Sequence, residues 1–290
     1  MILQGVFSGI LLGGLYTCIG VGFSLVWGVS NILNMAHGSF IVLGAYLTYT
    51  LYQALGISPF LTIPPVMLAL FLMGFSVQRW LLPRVMKSLL MVLTFTFGLD
   101  LLLQNAMVAI WSPDPRIIQL SWSAAGFTVG GGTVTYLRLA ALLAAVGLTG
   151  VLDLILARTK VGQAIRATAL DPGAAEMIGV SVPTVHAVTF GLGAAWAGAA
   201  GALLSMIVAF QPFSASELAL KAFIVTIVGG LGSISGAVLA GLLLGLVEVL
   251  GVQALGATWQ SAISFALMIL LLILRPQGLL GKRFFGEAHG

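Results

Sequence analysis

Long apolar segments, separated by short polar ones, make up nearly the whole chain. No Asp, Glu, Lys or Arg occurs before Arg79, and three further charge-free stretches cover residues 177–216, 222–247 and 249–274. Each stretch is long enough for at least one membrane-spanning helix, which needs about 20 apolar residues to cross a hydrocarbon core of ~30 Å. The apolar segments lie at residues 5–29, 38–55, 60–80, 88–111, 136–157, 187–210, 218–232, 235–253 and 257–275.

The composition supports a membrane protein and excludes most soluble classes. Of 290 residues, 60% are hydrophobic and 7% are charged, whereas soluble domains carry roughly 25% charged residues. The loops are too short for a soluble domain, so we predict an all-α polytopic membrane protein with one transmembrane domain over residues 1–290. The net charge of +4 does not indicate nucleic-acid binding, because most basic residues lie at the ends of apolar segments.

The basic residues predict the orientation of the chain. Nine of the twelve Lys and Arg residues form three clusters at segment ends, as the positive-inside rule expects of cytoplasmic loops: Arg79, Arg84 and Lys87; Arg158, Lys160 and Arg166; Arg275, Lys282 and Arg283. If all nine segments cross, the clusters lie inside, with the N-terminus outside and the C-terminus cytoplasmic. Segment 218–232 is short, however, and is alternatively a half-helix or re-entrant element. We therefore expect eight to nine transmembrane helices.

The stretch "SNILNMAHG" is the first candidate for function. It places Asn31, Asn34, His37 and Gly38 between two apolar segments. In a helix, the spacing of three residues would display Asn31, Asn34 and His37 on one side, and polar side chains at membrane depth generally face the bundle interior or a water-filled cavity. The alternative is an ordinary cytoplasmic turn, in which Asn and Gly are common.

The stretch "GGLGSISGA" is the second candidate. Gly229, Gly230, Gly232 and Ser233 interrupt an apolar run, which predicts unwound or sharply bent backbone. Such backbone is tolerated at membrane depth only where protein buries it or where it lines a wet cavity, and broken helices there can hold a carboxylate. The alternative is a tight turn between two spans, which Gly-Gly often marks.

The third candidate is the polar segment 158–186, which orientation places in the cytoplasm. "TKVGQAIRATAL" predicts one short helix and "DPGAAEMIG" a second, with Asp171 as N-cap, Pro172 at the first helical position and Gly179 just after the end. Two short helices at this position predict a docking surface. The alternative is a helix pair that rests on anionic lipid through its basic residues.

Few charged residues lie inside the apolar segments. Asp100 and Glu248 have no evident charged partner in sequence, and an intramembrane acid is by default a functional hypothesis such as a proton relay. Glu217 and Lys221 are four residues apart, so we expect a structural pair on one helix face. The sequence lacks a Walker phosphate-binding motif, a Cys/His metal cluster and a catalytic constellation, which argues against an enzyme and against a cofactor bound by this chain.

Three stretches resemble the signature regions of bacterial branched-chain amino acid ABC permeases, and the LivH-type subunit most. They are "LVWGVSNILNMAHGSFIVLGAY", "RTKVGQAIRATALDPGAAEMIGV" and "LALKAFIVTIVGGLGSISGAVLAGLLLGLVE". The resemblance implies a bacterial inner-membrane permease that pairs with a second, LivM-like permease. It also implies two cytoplasmic ATPase subunits, which bind ATP and Mg²⁺, and a periplasmic substrate-binding protein.

The resemblance also implies roles for individual residues. The implied pathway or gate residues are Asn31, Asn34, His37, Gly38, Gly229, Gly230, Gly232 and Ser233. The implied residues of the ATPase-coupling segment are Arg158, Gly162, Arg166, Asp171, Ala174, Ala175 and Gly179. The family's usual acidic residue before the two alanines is Gly173 here, so the contact at that point departs from the pattern.

Rival functions remain open from the sequence. Permeases for urea, short-chain amides or other amino acids share these motifs. An ion-coupled secondary transporter would use Asp100 or Glu248, but it leaves the two-helix segment 158–186 unexplained. An intramembrane enzyme with His37 as base lacks a nucleophile or metal set, and a passive channel lacks a visible charged ring or filter.

Overall fold

The computed structural model describes residues 2–86, 88–129 and 132–281. In this part of the chain the secondary structure consists of eleven α-helices, one β-hairpin, a π-helical segment (Val77–Leu81) and two 3₁₀ segments (Leu82–Arg84 and Ala257–Trp259). The helices are α1 (Ile2–Ser30), α2 (His37–Leu55), α3 (Ile63–Ser76), α4 (Leu89–Trp111), α5 (Tyr136–Arg158), α6 (Lys160–Leu170), α7 (Pro172–Met177), α8 (Val182–Ile207), α9 (Ser214–Gly229), α10 (Ile234–Leu255) and α11 (Gln260–Leu274). The strands are β1 (Gly126–Val129) and β2 (Gly132–Thr135).

Seven helices of the described residues are long and apolar enough to cross a membrane. They are α1, α3 with its helical continuation to Arg84, α4, α5, α8, α10, and α11 with the 3₁₀ turn before it. The polytopic helical fold is confirmed, whereas the count of eight to nine and the orientation of the termini are not. Helix α2 has imidazole, hydroxyl and amide side chains that lower its hydropathy, and the 16 residues of α9 span only about 24 Å.

The described residues also contain a β-hairpin, in the loop before α5. The hairpin pairs Gly126 with Thr135 and Val129 with Gly132, so the fold is not purely helical: part of the polar loop at 112–135 forms a short antiparallel ribbon. Lys87, Lys282 and Arg283, which contributed to the orientation argument, lie outside the described residues, as does the C-terminal end at 282–290.

Helices α1 and α8 form the centre of the bundle, and nearly all of both is buried. They run antiparallel. Cys18 lies against the carbonyl of Trp196, while Gly22 and Val26, further along α1, lie against Gly193, which is earlier in α8. Both helices are therefore covered by other protein on all sides, which explains why they are apolar around their whole circumference.

Small residues allow the helices around this centre to approach closely. A Cβ on Gly13 of α1 would lie 2.7 Å from the Cα of Leu242 in α10, and one on Gly9 would lie 2.8 Å from the Cα of Leu246. On the other side, a Cβ on Gly74 of α3 would lie 3.1 Å from the carbonyl oxygen of Phe190 in α8. Such close approach through small residues is typical of helix interfaces in membranes, where lipid supplies no hydrophobic drive for association.

The same arrangement occurs twice, in opposite directions. Each central helix packs along an outer partner, α1 along α10 and α8 along α3. Each is also followed by a six-residue break, at 31–36 and at 208–213, and then by a shorter helix, α2 or α9. Because α1 and α8 are antiparallel, the two units are related as an inverted repeat, an architecture common among transporters.

The two shorter helices meet near their first turns. A Cβ on Gly38 of α2 would lie 1.8 Å from the carbonyl oxygen of Ala215 in α9, so only glycine allows this crossing. The contact places the beginning of both helices, with their polar residues, between the two repeats.

The segment between α5 and α8 folds as predicted. Asp171 caps α7, because its Oδ1 accepts a hydrogen bond of 3.0 Å from the amide of Ala174, Pro172 occupies the first helical position and Gly179 has a φ of +86°. The difference lies at the end of the segment, since α8 begins at Val182 rather than at 187. The two helices are thus a folded part of the protein, not a flexible loop.

Candidate functional site

The break between α1 and α2 is not helical, which corrects one expectation. Helix α1 ends at Ser30, and Asn31 has a φ of +51° in the left-handed region and is exposed. Asn34 and His37 are buried instead. The expected display of Asn31, Asn34 and His37 on one helix face therefore does not form, because the chain leaves the helical conformation at Asn31.

Residues 31–36 turn back into the bundle. The Nε2 atom of His37 lies 3.1 Å from the carbonyl oxygen of Ile19, and the ring packs edge-on against Phe23. Eleven residues separate Ile19 from Ser30, the end of α1, which corresponds to about 16 Å along the helix axis. Helix α2 therefore begins beside the middle of α1, not at the bundle surface.

Asn34 stabilises this re-entry. Its Oδ1 accepts a hydrogen bond of 3.2 Å from the amide of Ala36, and its carbonyl accepts the amide of His37 at 3.2 Å. On the other side, the hydroxyl of Thr96 in α4 donates to the carbonyl of Leu33 at 3.2 Å. Non-helical backbone at membrane depth needs such hydrogen-bond partners. The side chain of Asn34 satisfies the amide of Ala36, and the side chain of Thr96 satisfies the carbonyl of Leu33.

Asp100 belongs to the same polar centre. It lies midway along α4, and its Oδ1 accepts a hydrogen bond of 2.6 Å from Ser39 in the first turn of α2. Its Oδ2 accepts one of 2.6 Å from Gln104, whose amide nitrogen also lies 3.5 Å from the hydroxyl of Ser216 in α9. Gln104 lies one turn along the same helix, whereas Ser39 and Ser216 come from helices distant in sequence and were not predictable from it.

The polar centre contains one acid, Asp100, whose hydrogen bonds in the described residues come from Ser39 and Gln104. It consists of Asn34, His37, Ser39, Asp100, Gln104 and Ser216, where α2 and α9 begin. Among the described residues no group of three or more His, Cys, Asp or Glu side chains could hold a metal ion. In the described structure, His37 Nδ1 is buried without a hydrogen-bond partner. The polar centre therefore has a buried imidazole nitrogen that is free to form a further hydrogen bond.

The glycine stretch at 229–236 lies elsewhere. Gly230 and Gly232 have φ of +100° and +78°, and they form a turn of four residues between α9 and α10. A Cβ on Gly232 would lie 2.9 Å from the Cα of Gly28, which is nine residues beyond Ile19, or about 13 Å along α1. The turn therefore packs beside the last turns of α1, whereas His37 contacts the middle of α1.

Close backbone contacts explain the glycines of this turn. The amides of Leu279 and Leu280 donate to the carbonyls of Val228 and Gly229 at 2.8 and 3.0 Å, so the chain after α11 covers the end of α9. Ser233 caps α10, since its hydroxyl accepts the amide of Gly236 at 3.0 Å. The stretch forms a tight turn, which was the alternative interpretation: Gly229 and Gly230 are buried, whereas Gly232 is exposed.

The segment 158–186 divides into structural and exposed residues. Gly162 packs against the end of α5, where a Cβ would lie 2.3 Å from the carbonyl oxygen of Leu156, and Arg166 donates to the same carbonyl at 2.5 Å. Ala175 is buried. Of the predicted coupling residues, the exposed ones are Arg158, Arg166, Asp171, Ala174 and Gly179.

Sequence reasoning missed the most exposed apolar side chains of this segment. Leu170, Met177 and Ile178 are 79%, 84% and 76% exposed and lie at the ends of α6 and α7. A cluster of large apolar side chains at the tip of a polar segment is typical of an interaction surface. Leu170 precedes the junction between α6 and α7 at Asp171, and Met177 and Ile178 follow it.

A second buried cluster joins α1, α9, α10 and α11. Lys221 lies 2.9 Å from Glu248 and 3.4 Å from Glu217, so the predicted pair exists but is not the main one. The hydroxyl of Tyr16 donates to Glu248 at 2.5 Å and accepts from Lys221 at 2.6 Å, and Ser264 donates to Glu248 at 2.8 Å. Glu248 thus has a charged partner after all.

Comparison with known proteins assigns the sequence to a family. The model of the family described as "branched-chain amino acid transport system / permease component" matches residues 5–272. The chain belongs to this family. No solved structure is significantly similar to the chain.

Named relatives of this family member are similar over nearly its whole length. The high-affinity branched-chain amino acid transport system permease protein BraD of Pseudomonas aeruginosa is 29% identical, over 97% of this chain and 96% of that protein. LivH of Salmonella typhimurium is 30% identical, again over 97% and 96%. LivM of Escherichia coli is 31% identical over 92% of this chain and 68% of its own length.

Proposed function

We propose that this chain is the membrane-spanning permease subunit of an ATP-driven importer for branched-chain, aliphatic amino acids. The family match over residues 5–272 carries the proposal, since it includes all three stretches on which the sequence resemblance rests. The relatives are named as permease proteins of branched-chain amino acid transport. The inverted repeat of crossing helices around a polar centre supports a transport function.

The partners follow from the same proposal. A second, LivM-like permease completes the translocation route, a periplasmic binding protein delivers the amino acid, and two cytoplasmic ATPases bind ATP and Mg²⁺. The N-terminus is outside, the C-terminus is in the cytoplasm, and the complex lies in the bacterial inner membrane. Segment 158–186 contacts the ATPases, and the exposed Met177 and Ile178 supply the apolar part of that contact.

The polar centre is the part of the chain that we assign to the pathway. Asn34 and His37 hold α2 at mid-membrane depth, and Gly38 lets α2 cross α9. A movement of one repeat against the other would change this crossing first. Gly229, Gly230, Gly232 and Ser233 act at the end of the bundle, where they allow tight turns rather than line the polar centre.

Isolation of the complex tests the function. The tagged chain is purified gently from its native membrane, and associated proteins are identified by mass spectrometry. A Walker-containing ATPase and a related permease are expected, and the purified complex should take up leucine in proteoliposomes with the binding protein and ATP. A stable chain that purifies alone and takes up solute with an ion gradient would refute the proposal and support the secondary transporter.

Substitutions in the polar centre test the pathway assignment. Asn34→Ala and His37→Ala should each lower the leucine uptake rate without changing leucine affinity of the binding protein. Asn31→Gly is the matched control, because Asn31 is exposed and glycine accepts its positive φ. Uptake at the wild-type rate in both alanine variants would show that the polar centre is not part of the pathway.

A further inference from the structure

A cleft of about 480 Å³ opens beside the buried ion cluster. It lies between the N-terminal half of α1, the first turns of α5 and α9, and the last turn of α8. This is the end of the bundle opposite segment 158–186, because α5 ends and α8 begins at that segment. The volume lies in the range of small-molecule sites, which is about 300–1,000 Å³.

One wall of the cleft is aliphatic. Its side chains come from α1, from the end of α8 and from the start of α9, and they include Leu12, Leu15, Ile207, Val208 and Leu218. Such a wall favours an aliphatic group of a ligand, because burial of that group stabilises binding by roughly 25 cal/mol per Å² of apolar surface. The aliphatic side chains offer no hydrogen bond to a polar group.

Opposite charges line the remaining wall. Glu248 is buried and lies 2.9 Å from Lys221, so these two charges balance each other. Glu217, at 3.4 Å from Lys221 and with its side chain 56% exposed, adds a second carboxylate for the same ammonium group. The three residues therefore carry one negative charge in excess, and Glu217 presents it to the cleft.

Arg138 adds a positive charge to the cleft lining. It lies in the first turn of α5 and is exposed. Within the described residues it forms no salt bridge, because both salt bridges there belong to Lys221. Lys221 already has two carboxylate partners, so it needs no carboxylate from a ligand. An ammonium group of a ligand would instead neutralise Glu217, and a carboxylate of the same ligand would pair with Arg138. An arginine fork matches a carboxylate in geometry as well as in charge.

We propose that this cleft binds one zwitterionic aliphatic amino acid, with its ammonium group at Glu217, its carboxylate at Arg138 and its side chain on the aliphatic wall. The inference rests on the proposed function and names an entry subsite for the substrate of that importer. The subsite is separate from the polar centre and lies on the face that receives the amino acid from outside.

Photo-crosslinking locates the bound amino acid directly. The complex isolated from its own membrane is incubated with a diazirine analogue of leucine, irradiated and digested, and labelled peptides are mapped by mass spectrometry. Labels are expected on residues 8–16 and 204–221, and excess free leucine should suppress them. A lipid ammonium headgroup has related chemistry, so labels there that free leucine does not displace would overturn the proposal.

Two variants and two controls sharpen the experiment. Leu12→Trp should fill the cleft and abolish its labelling, while Leu102→Trp, at a side chain 63% exposed on α4, should leave it unchanged. Glu217→Gln should raise the leucine concentration needed for half-suppression by about tenfold, since it removes a charge-assisted contact. Asp114→Asn removes an exposed acid outside the cleft lining and should not.

The outcome separates this subsite from the proposed function. Leucine uptake by the wild-type complex, with labels confined to the polar centre or absent, would refute the subsite and leave the importer intact. Neither uptake nor labelling with any aliphatic amino acid would refute both. Labels in the cleft that are lost in Leu12→Trp and weakened in Glu217→Gln would establish the subsite.

Discussion

The buried ion cluster allows a quantitative prediction for Lys221→Met. Methionine has a similar shape, so the change mainly removes the charge that neutralises Glu248, together with hydrogen bonds of 2.6 Å to Tyr16 and 2.9 Å to Glu248. Removing one partner of a buried pair typically costs about 3–5 kcal/mol. Glu248 keeps its hydrogen bonds from Tyr16 and Ser264, so we expect a loss of about 3 kcal/mol in the free energy of unfolding.

Equilibrium unfolding of the purified chain in mixed micelles, with SDS as denaturant, measures this loss. Glu217→Gln should cost less than about 1 kcal/mol, because that carboxylate is more than half exposed. Glu248→Gln added to Lys221→Met removes the uncompensated charge, and the double variant should recover about 2 kcal/mol. If Lys221→Met cost no more than Glu217→Gln, or if the double variant recovered nothing, the charge argument would be wrong.

Two further predictions concern packing and docking. Gly38→Ala should prevent stable folding, because its Cβ would lie 1.8 Å from the carbonyl oxygen of Ala215. Gly98→Ala is the control, since a Cβ there meets nothing within 4 Å. The two variants are compared by their yield of monodisperse protein on size-exclusion chromatography. Met177→Glu and Ile178→Glu should lower the amount of co-purified ATPase without a change in melting temperature. Retention of the full amount in both would exclude α7 from the contact.

The structure also changes which coupling variants are informative. Arg166 is one of the residues that the family resemblance implies in coupling, but its guanidinium donates to the carbonyl of Leu156 at the end of α5. Its replacement would disturb the helix junction, and a loss of activity would not distinguish docking from folding. Gly179→Trp would introduce strain, because Gly179 has a φ of +86°. Exposed side chains such as Met177 are the better probes.

Local signals in the sequence predicted local structure well. Asp171, Pro172 and Gly179 each carry a conformational preference that does not depend on the rest of the fold, so both short helices between α5 and α8 were predictable. The apolar segments likewise predicted most long helices to within a few residues, because in lipid the backbone must satisfy its own hydrogen bonds.

Contacts between distant segments were not predictable in the same way. Lys221 and Glu248 are separated by a turn and most of a helix, and Asp100 bonds to Ser39 across 61 residues. No periodicity encodes such pairs, since each depends on how helices are arranged around α1 and α8. The sequence therefore indicated Asp100 and Glu248 as unusual residues but could not say what they contact.

The break after α1 shows how the arrangement of helices decides where polar groups can lie. Residues 31–36 expose backbone that lipid could not satisfy, so the break must lie where other helices cover it. The crossing of α2 and α9 between the two repeats provides this cover, and Thr96 of α4 donates to the carbonyl of Leu33 there. With the break in this position, Asn34 and His37 are buried beside it and the hydroxyl of Ser39 donates a hydrogen bond to Asp100. The polar centre is thus a consequence of the inverted repeat, and any movement between the repeats would rearrange its hydrogen bonds.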